Sequence, residues 1–177
     1  THVDDADVAT LGAAGANVVM CPTTERDLGD GIGPTPSFTE AGVPISLGSD
    51  SHAVIDLLEE ARALELDQRL VSRERGIHGA TDLLAMATIN GHRSLGWDGA
   101  GAIVVGNRAD LATVALDSVR TAGTTCGSAI EATVFAAGAG DITNVVADGR
   151  PVVVDGRHVS IDVATELCAS IQDLMER

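Results

Sequence analysis

An aspartate and a histidine end the apolar run "VPISLGSDSH", Val43 to His52. Such a run predicts a buried strand, and burying a carboxylate or an imidazole without partners costs free energy. Asp50 could cap the following helix or accept hydrogen bonds from loop amides. It could also coordinate a divalent metal and accept a proton from water, because the ion lowers the pKa of that water toward neutrality. The position alone leaves both interpretations open.

A second polar segment, "CPTTERDLGDG", follows the preceding apolar run. Thr23 and Glu25 stand where a strand would end, which predicts a binding loop; a turn stabilised by its own Thr and Asp side chains is the alternative. His52 could face the same pocket or bond to its own loop. The residues therefore offer Asp50 as a candidate catalytic residue and metal ligand, and His52, Thr23 and Glu25 as candidate substrate contacts. The glycine-rich "GDGIG" has no phosphate-loop lysine, which excludes a nucleotide site of that kind.

Elements able to position these residues alternate along residues 1–95. "DDADVATLGAAGA" predicts a helix with acidic residues at its start, and "NVVMC" a strand buried on both faces. A polar loop, "PTTERDLGDGIGPTP", then leads through a short helical piece, "SFTEAG", to the strand before Asp50. A strand, a crossover and a second strand imply a parallel sheet, in which chemistry collects at the carboxyl ends of the strands. Both polar segments are expected at that end.

The rest of the chain predicts two helices and then a β-rich part. "AVIDLLEEARALELDQRL" carries an apolar stripe at Ile55, Leu58, Ala61 and Leu64, and "GATDLLAMATINGHRSLG" predicts the second helix. Gly106-Asn107, Asp148-Gly149 and Asp155-Gly156 predict tight turns between short strands. The tail "DVATELCASIQDLMER" predicts a closing helix. The expected organisation is α/β over 1–98, β-rich over 99–160 and helical over 161–177.

Composition excludes several classes of protein. The chain has 177 residues, a formal net charge of −15 and 11 basic residues, all arginine, with no basic block to bind a phosphate backbone. Nucleic acid is therefore not an expected partner. No apolar run is long enough for a membrane span, and the first residues do not resemble a signal peptide, so we expect a cytoplasmic location and no membrane partner. Cys21, Cys126 and Cys168 are scattered and odd in number, which predicts reduced, buried thiols.

Taken in order, these segments resemble the metal-dependent deaminases of the amidohydrolase superfamily. The motifs are "CPTTERDLGDG", "VPISLGSDSH", "GATDLLAMATINGHRSLG", "GAIVVGNRADLATV" and "VVADGRPVVVDGRHV". "CPTTE" followed by "LGDG", and "GSDSH", are most similar to the formimidoylglutamate deiminase family of histidine degradation. Other members of the superfamily tend to have Asn-Pro and Ser-Asn where this chain has Cys21-Pro22 and Thr24-Glu25.

The resemblance implies a TIM (β/α)8 barrel with a small β-sandwich subdomain, of which this chain is the C-terminal part, about strands 6/7–8 and the following helices. It also implies one divalent metal, usually zinc, held by a His-x-His pair, a later histidine and an aspartate that matches Asp50. The other three ligands would lie upstream of Thr1. The implied reaction converts N-formimino-L-glutamate and water to N-formyl-L-glutamate and ammonia, with Asp50 moving the proton. A small-molecule substrate and a homodimer of the full-length enzyme complete what the resemblance implies.

The remaining histidines are predicted to be structural. His2 matches the second histidine of the family's His-x-x-His segment, not the substrate-facing first one, and is not expected to be a ligand. His78 precedes a helix, His92 lies near a helix end, and His158 lies in the β-rich part.

Two other functions stay open at this point. One is a related amidohydrolase that deaminates an aminoheterocycle of the guanine, cytosine or triazine type. The other is a truncated barrel without activity that serves as an acidic interaction module. So acidic a chain exerts no long-range attraction on an anionic substrate. Arginines can bind carboxylates at short range, and Arg26 is the arginine expected in the loops at the carboxyl ends of the strands.

Overall fold

A computed structural model describes residues 1–177. Its first part is an α/β unit with helices α1 (Asp5–Ala14), α2 (Pro22–Leu28), α3 (Thr35–Glu40), α4 (Leu57–Ser72), α5 (Ala80–Met86) and α6 (Ile89–Ser94). Two strands, β1 (Val18–Met20) and β2 (Ile45–Leu47), pair in parallel, with Val19 opposite Ser46. Because the strands are parallel, both of the polar segments that follow them lie at the same edge of the sheet. This edge is called the carboxyl edge below.

The second part is β-rich. Strands β3 (Leu111–Val114), β4 (Ile142–Ala147), β5 (Arg150–Val154) and β6 (Arg157–His158) form one antiparallel sheet in that order. Helix α7 (Ala129–Phe135) lies between β3 and β4, and α8 (Val163–Met175) ends the chain. The turns at Asp148-Gly149 and Asp155-Gly156 are confirmed, and both aspartates have positive φ, 49° in each case. The chain thus forms one sheet in this region rather than the two sheets of a sandwich.

Local signals explain the helix boundaries. The Asp4 side chain accepts hydrogen bonds from the amides of Ala6 and Asp7, and α1 ends at Gly15, whose φ of 62° suits a residue without a Cβ atom. Asp56 caps α4 in the same way, accepting from the amides of Leu58 and Glu59. Asp162 caps α8 through the Thr165 amide, so aspartates cap helix starts in three places, which is one of the roles proposed from sequence for Asp50.

One core joins the two parts. Phe38, Leu64, Leu83 and Val134 are almost completely buried and belong to a single cluster that also holds Met20 and Ile45 from the strands. Each fully buried side chain of this kind contributes roughly 1.5 to 3 kcal/mol. Helix α7 packs on α4 and α5, so the β-rich part is attached to the α/β part through α7.

The structure corrects several sequence predictions. Residues 22–28 form α2 rather than a polar loop, because Pro22 is well suited to the first helical position and Gly29, with φ of 73°, ends the helix. The single helix expected over "GATDLLAMATINGHRSLG" is broken at Thr88, whose φ of −128° and ψ of −95° are not helical. Residues 101–109 contain no strand, so no hairpin forms across Gly106-Asn107. Ile55 is exposed and precedes α4, whose buried face carries Glu60, Ala61, Ala63, Leu64, Glu65 and Gln68.

The cysteine prediction is also wrong in part. Cys21 is half-buried, but Cys126 and Cys168 are exposed, because Cys126 lies in a surface 3-10 turn and Cys168 on α8, all of whose residues are exposed. All three are free thiols, as expected. No helix of the chain is both long and apolar enough to cross a membrane.

The buried side chain of Glu65 restrains the loop after α4 through hydrogen bonds. Its carboxylate accepts hydrogen bonds from the backbone amides of Gly76 (2.8 Å) and His78 (2.7 Å) and from Arg69 Nε (2.8 Å). The His78 ring bonds in turn to the Thr35 hydroxyl at 2.7 Å, and burial lowers the pKa of this imidazole. The expected structural role of His78 agrees with these contacts.

Glu65 should make the stability depend on pH in the acid range. Burial raises the pKa of the Glu65 carboxyl, but the hydrogen bonds from His78, Arg69 and Gly76 outweigh it, so the pKa lies below the ordinary value of 4.5. A carboxyl with a lowered folded-state pKa stabilises the fold above its unfolded pKa, and this stabilisation is lost as the pH falls through the folded pKa. We expect the free energy of unfolding of the full-length protein to fall below about pH 4.5, and to fall less steeply in Glu65→Gln. Denaturant titrations at several pH values between 3 and 6 measure this free energy. The same pH dependence in wild type and Glu65→Gln would contradict this role of Glu65.

Candidate active site

At the carboxyl edge, the first turn of α2 meets the loop after β2 at Thr24. The side chain of Thr24 is buried, and its hydroxyl donates a hydrogen bond to the Ser49 carbonyl (2.6 Å) and accepts one from the His52 amide (3.0 Å). The His52 amide also donates to the Ser49 carbonyl at 3.1 Å, which closes a tight turn over residues 49–52. The segments that follow β1 and β2, expected from sequence at the same end of the sheet, are therefore in direct contact.

Asp50 lies inside this turn with a φ of 48°, in the left-handed region. Aspartate is one of the few residue types besides glycine that enters this region without a large penalty. The side chain is exposed, and none of the ion pairs of the chain involves it. Asp50 does not cap α4, because Asp56 does. The carboxylate therefore projects from the carboxyl edge with its charge uncompensated by any ion pair within the chain.

The side chains of His52 and Glu25 both bond to backbone groups close to them in the sequence. The His52 Nδ1 atom lies 3.2 Å from the Val54 amide and 3.0 Å from the Val54 carbonyl, which leaves Nε2 for any further contact. The Glu25 carboxylate accepts a hydrogen bond from the Cys21 amide at 3.2 Å, and burial raises the pKa of this half-buried carboxyl.

Thr23 is held by a residue that the sequence reading missed. The Glu60 carboxylate, 0% exposed, accepts hydrogen bonds from the Thr23 amide (3.0 Å) and from the Thr23 hydroxyl. Glu60 lies on the buried face of α4, where the periodic pattern predicted apolar residues. A signal was present in the sequence, since a glutamate on the core side of an amphipathic helix needs a buried partner. Thr23 thus has both polar groups occupied by Glu60.

Cys21 and Arg26 also have defined surroundings. Burial raises the pKa of the Cys21 thiol, and the nearby carboxylates of Asp50, Glu25 and Glu60 raise it further, so this thiol stays protonated near neutral pH. Arg26 faces α4, with ion pairs to Glu59 (3.8 Å) and Asp67 (3.6 Å). Both partners lie on α4, so Arg26 does not stand free at the carboxyl edge.

The chain supplies one side chain, that of Asp50, that is suited to bind a metal ion at the carboxyl edge. An exposed, unpaired carboxylate such as that of Asp50 is a suitable oxygen ligand for zinc. However, the chain has no group of three or more His, Cys, Asp or Glu side chains that could hold a metal ion. A site that includes Asp50 needs ligands from outside these residues.

Comparison with known proteins identifies the class. The model of the Amidohydrolase family matches residues 1–152, and the chain belongs to this family. It is 37% identical over 166 residues to formimidoylglutamate deiminase of Pseudomonas aeruginosa, covering 89% of this chain and 36% of that protein. It is 31% identical over 163 residues to 5-methylthioadenosine/S-adenosylhomocysteine deaminase of Pyrococcus abyssi, covering 90% of this chain and 38% of that protein. The chain therefore spans little more than a third of these relatives.

A solved structure extends the similarity to three dimensions. An adenosine deaminase from Xanthomonas campestris with bound zinc superimposes with a TM-score of 0.89 at 27% identity, covering 97% of this chain and 40% of that chain. Since 97% of the chain is covered, the similarity extends over most of both the α/β part and the β-rich part.

Proposed function

We propose that this chain is the carboxyl-terminal part of a metal-dependent hydrolytic deiminase built on a (β/α)8 barrel, with β1 and β2 as its last two strands. In such a barrel the active site lies at the carboxyl ends of the strands, where Asp50 is found. The observation that carries the proposal is the turn at residues 49–52, which presents an exposed, unpaired carboxylate at that edge. The single antiparallel sheet would form a sandwich with strands contributed by residues before Thr1.

The metal would be one divalent ion, zinc being the ion bound in the Xanthomonas structure. When bound, such an ion activates water for attack on a carbon–nitrogen double bond. Asp50 would hold the ion, accept a proton from the water and return it to the departing ammonia. His52 Nε2 and the Glu25 carboxylate would contact the substrate. For Thr23 we now propose a positioning role through Glu60, because both of its polar groups are already bonded.

The proposed substrate is N-formimino-L-glutamate, with N-formyl-L-glutamate and ammonia as products. The relative named formimidoylglutamate deiminase, at 37% identity, supports this choice. Since Arg26 is held by Glu59 and Asp67, the cations that bind the two substrate carboxylates would come from the upstream part of the enzyme.

An aminopurine is the second candidate substrate, favoured by the relative of Pyrococcus abyssi named 5-methylthioadenosine/S-adenosylhomocysteine deaminase.

Ammonia release from a substrate panel separates the two candidates. The assay uses the full-length protein, which comprises these residues and the region upstream of them. Its substrates are N-formimino-L-glutamate, 5-methylthioadenosine, guanine and cytosine. We expect the highest kcat/KM for N-formimino-L-glutamate. A higher value for any of the ring substrates would replace the proposed substrate, and no ammonia from any of them would contradict the deiminase proposal.

A further inference from the structure

The side chain of Thr24 makes two hydrogen bonds to backbone groups of the turn at residues 49–52. Its side chain is 3% exposed, and its hydroxyl donates to the Ser49 carbonyl and accepts from the His52 amide, the two ends of the turn that contains Asp50. A buried hydroxyl that both donates and accepts has a single orientation, so it restrains both ends of the turn together.

Thr24 is itself restrained from the opposite side. Its neighbour Thr23 is bonded through amide and hydroxyl to Glu60, which is fully buried on α4. Helix α4 begins just after the same turn and is capped by Asp56. Hydrogen bonds therefore connect α4 to the first turn of α2 at Thr23, and that turn of α2 to residues 49–52 at Thr24.

We infer that Thr24 is a positioning residue that sets the direction of the Asp50 carboxylate, without touching the reacting atoms itself. The inference rests on the proposed function of Asp50 as a metal ligand. Residues that orient a ligand typically change metal affinity or activity about 10- to 100-fold when mutated. The left-handed conformation of Asp50, with φ of 48°, is one of several open to aspartate, so removing the two hydrogen bonds would let the turn adopt others.

The test uses the full-length protein and measures the zinc dissociation constant by competition with a chromophoric chelator. Thr24→Val keeps the shape and removes both hydrogen bonds, so we expect about 10- to 100-fold weaker zinc binding. Thr24→Ser keeps the hydroxyl and should bind zinc close to wild type. In the metal-free protein, the His52 amide should exchange with solvent faster in Thr24→Val than in Thr24→Ser.

Thr121 offers a matched control. It is 2% exposed, and its hydroxyl also donates to a carbonyl, that of Ala115 (3.0 Å), and accepts from an amide, that of Ser118 (3.2 Å), but in the β-rich part. Thr121→Val should lower the thermal midpoint much as Thr24→Val does and leave zinc affinity unchanged. If Thr121→Val weakens zinc binding as much as Thr24→Val, the effect is general destabilisation and the inference is wrong.

Asp50→Asn separates this inference from the proposed function. If Asp50→Asn binds zinc as tightly as wild type, Asp50 is not a ligand and the proposed function fails with the inference. If Asp50→Asn loses zinc while Thr24→Val keeps wild-type affinity, only the positioning role is wrong. Should Thr24→Val not fold, Thr24→Ala removes the same hydroxyl and leaves room for water, and its zinc affinity decides in the same way.

Discussion

Replacing Asp50 by asparagine in the full-length protein is expected to lower kcat about 10²- to 10⁴-fold, the usual effect of losing a positioned acid–base group. Asparagine has nearly the same size and also tolerates the left-handed conformation, so the turn at residues 49–52 should persist. The change removes the charge that binds the metal and accepts the proton. Ammonia release and zinc content, measured on the same preparation, report the two roles together.

Asp155→Asn is the matched control for this experiment. Asp155 is also exposed and has a φ of 49°, but it lies in the turn between β5 and β6. Its replacement should leave kcat and zinc content at wild-type values. Wild-type turnover in Asp50→Asn, or an equal loss in Asp155→Asn, would contradict the assignment of Asp50.

The second large effect is expected when the 177-residue chain is produced without the upstream region. Strands β1 and β2 pair only with each other, so both outer edges of this sheet are open to association. Beside β1, the side chains of Val19 (54% exposed) and Trp97 (52% exposed) leave apolar surface uncovered. With one candidate ligand in place of three or four, zinc should be bound only weakly.

We therefore expect the isolated chain to lose zinc on dialysis, to release no ammonia from N-formimino-L-glutamate and to associate through the open sheet. Elemental analysis, a coupled ammonia assay and light scattering measure the three properties. Co-expression with the upstream region should restore zinc and activity together. A monomeric, active isolated chain that retains stoichiometric zinc would contradict the proposal that the other ligands precede Thr1.

Much of the α/β part could be predicted because its elements have strong local signals. Helix α1 starts at an aspartate cap and ends at a glycine, and β1 and β2 are short apolar runs separated by a crossover. Tight turns at Asp148-Gly149 and Asp155-Gly156 follow from residues that readily adopt positive φ. In these places the signal is carried by neighbouring residues, so no long-range contact is needed to interpret it.

Contacts between distant residues are not visible in the sequence. The polar segment "TTERDLGD" predicts a loop, and although Pro22 and Gly29 are local signals for α2, its first turn is also held by a contact between Thr23 and Glu60, 37 residues apart. The same holds for the Thr24 hydroxyl, whose partners lie 25 and 28 residues away. Asp50 could be proposed from sequence because its position and surrounding motif carry the signal; its support by Thr24 and Glu60 could not.

Whether Asp50 completes a metal centre with upstream ligands can be decided by determining the coding sequence immediately before Thr1. We expect an open reading frame that continues upstream far enough to supply the rest of a barrel of about 250 residues, with a His-x-His pair near its start and a further histidine at a later strand end. An in-frame stop codon just before Thr1, or an upstream region without these histidines, would contradict this proposal.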